Sequence, residues 1–142
     1  SDGAAAWTRL GVYGLIIVEP LFLIGILFEY VLLARSADLA AEGAVTETLW
    51  QLRNGTLILV GVALAAGLVG LSRAGRISGL IPVWQERLGL AAAGAFLVSA
   101  GFAVAAIEGA QVGLIGLAAF VGWVVWLALT SFRLLRTADA PV

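Results

Sequence analysis

The stretch from Gly11 to Ala34, GVYGLIIVEPLFLIGILFEYVLLA, constrains this chain more than any other. At 1.5 Å per residue it is long enough to cross a bilayer, which takes about 20 apolar residues. It also carries Glu19 and Pro20 near its middle and Glu29 near its far end. A carboxylate inside a span is costly and calls for a partner or a task.

Three further apolar runs follow, and composition decides how they fold. The chain is 62% hydrophobic and 12% charged, against roughly 45–50% and about 25% for an ordinary soluble domain. In lipid the backbone must satisfy its own hydrogen bonds, as helices or as a closed barrel. Barrel strands alternate apolar and polar residues, and the runs from Gly55 to Leu71 and Leu88 to Ile107 do not. The expected fold is therefore all-α. It is a single domain over 1–142, an antiparallel four-transmembrane-helix bundle with spans at about 11–34, 55–72, 88–107 and 112–132. A polar outer segment is expected at 35–54.

Within that plan, Pro20 should kink the first helix or open a carbonyl near residue 16. Thr46 fits an N-cap, with Glu47 in the first turn. The second span is rich in Gly and Ala, which let helix backbones approach closely. Trp7, Tyr30 and Trp84 suit the headgroup level. The short turn from Glu108 to Gln111 makes an antiparallel hairpin of the last two spans.

Arginine placement sets the expected orientation. Arg9, Arg73, Arg76, Arg87, Arg133 and Arg136 fall on one side, and Arg35 and Arg53 on the other. Six against two puts both termini in the cytoplasm. All eight basic residues are Arg, a bias pointing to a GC-rich prokaryotic source and its inner membrane. The chain opens on Ser1 without Met, so processing of its start is expected. Its first apolar run is too long for a signal peptide and holds an acid mid-run.

Absent residue types exclude function classes. Without Cys and His there is no thiolate or imidazole for zinc or haem, and no Ser-His or Cys-His couple. No metal or redox cofactor, no nucleic-acid partner and no enzymatic activity are expected. The expected partners are the lipid bilayer and either further copies of this chain or other membrane subunits.

Candidate sites are polar residues at depth. Glu19 lies about 13 Å inside the first helix, and no Arg falls within an apolar core. Charge there costs from about 3 to well over 10 kcal/mol. A neutral carboxyl, a wet cavity or a second protein would relieve that cost. Ser99 and Trp123 fall at similar depth and carry donors for it. Glu29, Glu47, Gln51, Arg53, Asn54 and Glu108 make an outer polar cluster, with a Glu29–Arg53 contact expected. Arg73, Arg76 and Arg87 are candidates for an anionic lipid headgroup. The leading function is a non-enzymatic subunit or assembly partner of a membrane complex. The alternatives are an oligomeric proton-coupled transporter or channel using Glu19, and a lipid- or hydrophobic-ligand-binding protein.

Overall fold

A computed structural model describes residues 2–107 and 113–138. It is all-helical, with α1 Asp2–Ala34, α2 Ser36–Leu39, α3 Gly43–Ile77, α4 Val83–Gly101, α5 Ala103–Ile107 and α6 Gly113–Ala138. Three helical stretches are long and apolar enough to cross a membrane: Gly3–Ala34, Gly43–Ile77 and Leu114–Arg136. The chain is thus a small helical protein suited to membrane association.

Two elements differ from the sequence reading. The lead before Gly11 is not separate, because α1 starts at Asp2 and runs as one helix through Pro20. Thr46 is not an N-cap. α3 begins three residues earlier, with Glu42 at the cap. The Thr46 hydroxyl instead donates to the Leu39 carbonyl at 2.8 Å, which ties the end of α2 to α3.

The expected span 88–107 is divided. α4 starts at Val83, just after Pro82, and ends at Gly101. Phe102 leaves helical geometry and its N–H donates to Ser99 O at 3.3 Å, before α5 resumes.

Packing follows small residues. Gly11, Gly14, Val18, Leu21 and Gly25 recur at alternating spacings of three and four, and this stripe of α1 lies on α3. The answering stripe on α3 is Thr56, Val60, Ala63, Gly67, Gly70 and Ala74, all buried. That spacing keeps one seam facing a partner along the whole contact. The closest approach is backbone on backbone. A methyl on Gly14 would stand 2.5 Å from Gly67 N.

The other side of α3 packs on α4. Gly61 faces Phe96 there, and Leu64, Ala65 and Leu68 join Ala92, Ala93 and Phe96 in the core. α4 in turn packs antiparallel on α6 through Ala92 and Gly122, and through Ser99 and Gly116. The long helices therefore pack in series, each chiefly on the next, with α3 and α4 inside. Among the described residues α1 and α6 share no extensive contact, so the series does not close into a ring there. Of the most apolar window of α3, 56% is buried, against 6% for α1 and 11% for α6. One turn sets the step from α3 to α4. Gly79, at φ +76, takes the left-handed conformation that ends α3, and buried Ile81 then packs on Gly75.

Candidate functional site

Glu19 lies on the exposed side of α1, turned away from the seam with α3. No hydrogen bond or ion pair reaches it among the described residues. Pro20 next to it has no N–H, so the Ile16 carbonyl lacks its helical donor. Ile16 is 60% exposed on the same side. One outward patch in the middle of this long apolar helix thus carries a carboxyl and an under-bonded carbonyl.

Ser99 and Trp123 do not join Glu19. They sit on α4 and α6, and α1 packs chiefly on α3. Trp123 stacks with Phe120 at 5.3 Å between ring centroids. Ser99 lines a cavity of about 400 Å³ with Phe22, Arg53, Asn54, Phe96 and Phe120. Phe22, three residues after Glu19, lines the same cavity as Ser99, whereas Trp123 does not. Counting residues along each helix could not say which helices adjoin.

The outer cluster separates into two parts. Arg53 Nη2 donates to Glu29 at 3.2 Å, the contact read from the sequence, and Nη1 donates to Asn54 at 3.1 Å. The guanidinium also lies 5.3 Å from the centroid of the Trp50 ring. Arg53 and Asn54 border the 400 Å³ cavity, so its apolar walls have a polar mouth. Gln51 bonds Glu47 at 3.3 Å along the exposed surface of α3, apart from that mouth. Glu108 lies outside the described residues.

The three arginines singled out near the second turn do not form one site. Arg73 and Arg76 converge on Glu86, at 2.9 and 3.9 Å. Glu86 is buried at the start of α4, whereas Arg87 is exposed.

A second buried polar group was missed in the sequence. Gln85 is 0% exposed. Its amide donates to Thr130 Oγ1 at 2.9 Å, and its Oε1 accepts from Arg133 Nε at 2.8 Å. Thr130 donates onward to the Trp126 carbonyl at 2.8 Å. Counting equal distances outward from the turn expected at 108–111 would have set Gln85 opposite this part of α6. Nearby, Gly89 allows Ser72 Oγ and Trp126 Nε1 to crowd its α-carbon, and neither atom has a hydrogen-bond partner among the described residues.

No protein-family model matches the sequence, and comparison with curated proteins and with solved structures finds no match.

Proposed function

We propose that the chain is a non-enzymatic subunit of a membrane complex, docked on another membrane-spanning chain through the side of α1 that carries Glu19. The supporting observation is that carboxyl, exposed in mid-span and without a partner among the described residues. In hydrocarbon such a group is costly. A neighbouring chain that offers a cation or N–H and O–H donors removes the cost for Glu19 and for the Ile16 carbonyl together. A second copy in the same orientation brings another Glu19 to the same depth, and this chain has no Arg between Arg9 and Arg35. A different subunit therefore fits better than a symmetric copy.

Purification in mild detergent tests this. The expected result is a stoichiometric second membrane subunit that is retained with Val121→Ala on α6 and lost with Glu19→Leu. A chain that purifies alone or only with copies of itself, with Glu19→Leu unchanged, sinks the proposal.

The orientation belongs to the same proposal. α4, at 19 residues, spans about 28 Å, close to the roughly 30 Å of a bilayer core. Its opening turn with Gln85, Glu86 and Arg87 then sits at headgroup level, and α4, third in chain order, brings the crossings to four. The end of α3, the start of α4 and the end of α6 meet through the Gln85–Thr130 and Arg73–Glu86 contacts. The arginine-rich side is cytoplasmic, and with it both termini, although Ser1 and Val142 themselves lie outside the described residues. Single cysteines at positions 3 and 138 should resist a membrane-impermeant thiol reagent in intact cells. One at Asp38 should react. The reverse pattern inverts the topology.

A second reading has its own support in the 400 Å³ cavity, which falls in the size range of small-molecule sites. Phe22 brings its wall within one turn of Glu19. An oligomer that transports a hydrophobic ligand with protons would use both. Glu19→Gln would then keep the fold and abolish pH-dependent transport.

A further inference from the structure

We propose that the cavity of about 400 Å³ over α3 binds an uncharged single-chain amphiphile of the monoacylglycerol type. The proposal rests on the cavity of the second reading above, whose ligand class it names, and needs neither transport nor Glu19. The cavity lies in the gap where α1 and α6 share no extensive contact, with α3 and α4 behind it. Small residues set its place. Toward the arginine-rich end, α1 and α3 meet backbone on backbone at Gly14 and Gly70. At Gly25 an added methyl would meet only the side chains of Thr56 and Leu57, each at 3.8 Å. The two helices stand further apart there, and the cavity opens beside that wider part. Gly61 and Gly116 line it without side chains.

The lining fixes the chemistry of the ligand. Leu64 and Phe96 are buried beneath the cavity, and Phe22 and Phe120 stand at its sides, which suits a hydrocarbon chain. From Asn54 to Leu64 the wall extends about 15 Å along α3, a length that takes a chain rather than a compact molecule. Polar groups are few. The Asn54 carboxamide accepts from Arg53, but its NH2 has no hydrogen-bond partner among the described residues, and neither has the Ser99 hydroxyl. Both groups can donate to an oxygen of a ligand. Arg53 is the one charged residue among the described lining, and Glu29 answers it at 3.2 Å. That pair is neutral. A carboxylate or phosphate head would compete with Glu29 for the same guanidinium and leave negative charge uncompensated beside an apolar wall. Hydroxyl and ester oxygens accept from Asn54 and Ser99 without adding charge. The mouth therefore selects a neutral head, and the cavity below it selects the chain.

Native mass spectrometry of the whole chain, held in an amphipathic polymer in place of detergent, tests the site with monooleoylglycerol, oleate and hexadecane. Monooleoylglycerol should be retained about tenfold better than either of the others. Ala100→Phe and Leu117→Trp fill the cavity from α4 and α6 and should abolish retention, while thermal melting at or above the wild-type temperature checks that both fold. Leu97→Trp, exposed and off the lining, should have no effect. Ser99→Ala removes only the hydroxyl and should weaken retention about fivefold. Glu19→Gln should leave retention unchanged. Oleate or hexadecane retained as well as the glyceride overturns the proposal, and so does unchanged retention in Ser99→Ala together with the filled variants. Retention without pH-dependent transport upholds the site and fails the transport reading. Transport without retention does the reverse.

Discussion

Gly70→Ala should lower the stability of the folded protein in detergent by about 2–3 kcal/mol, the upper range for overpacking a tight contact. The added methyl would meet the Gly11 α-carbon and the Trp7 carbonyl oxygen, each at 2.6 Å. Both are backbone atoms, so no rotamer change makes room and α1 must move off α3. Gly14→Ala should behave alike, since its methyl would stand 2.8 Å from the Ala63 carbonyl oxygen. Gly67→Ala should cost less. Its obstruction is the Leu15 side chain at 3.2 Å, which can turn. Gly94→Ala meets nothing within 4 Å and should be neutral or slightly stabilising, because Ala favours helix over Gly by about 1 kcal/mol. Thermal melting of the four variants reads this order. A Gly70→Ala protein that melts like the wild type would mean that α1 packs elsewhere.

The second large effect belongs to Glu86. The side chain of Glu86 is 10% exposed, whereas those of Arg73 and Arg76 are 49% and 45% exposed. The pair is therefore unequal. Glu86→Gln leaves two arginines that can extend into water or among headgroups, and should cost about 1 kcal/mol, as an exposed pair does. Removing both arginines leaves a buried carboxylate uncompensated, and loss of one side of a buried pair costs about 3–5 kcal/mol. Arg73→Ala with Arg76→Ala should thus destabilise far more than Glu86→Gln, although it deletes exposed residues. Adding Glu86→Gln to that double variant should restore most of the loss. Equal destabilisation by all of these changes would show that Glu86 is as well solvated as its partners.

The different fates of Glu19 and Glu86 show where a linear reading stops. Both are acids near apolar runs. Glu19 was conspicuous because apolar residues flank it closely on both sides. Glu86 was hidden in a polar connection, and it is the buried one. Whether an acid is buried depends on what packs over it, and here that is decided by Pro82 restarting a helix and Gly79 turning the chain.

The sequence by itself determined that the chain is helical and suited to a membrane, because hydropathy and the lack of two-residue alternation are local properties. It determined the small-residue character of α3, and the Glu29–Arg53 contact, because consecutive spans run antiparallel and the two residues lie near the facing ends of theirs. A fixed rise per residue converts number into height along one helix, and the sequence reading goes no further than that. Only the tertiary structure decided which helices touch. A glycine seam toward α1 and an apolar face toward α4 make α3 an inner member of a series, and that leaves α1 at the edge with Glu19 facing outward rather than toward Ser99 and Trp123. It also decided that Gln85 orients Arg133, a contact between residues far apart in the chain. Height is set by the backbone of one helix, but lateral neighbours are set by how surfaces on several helices fit, which no single stretch encodes.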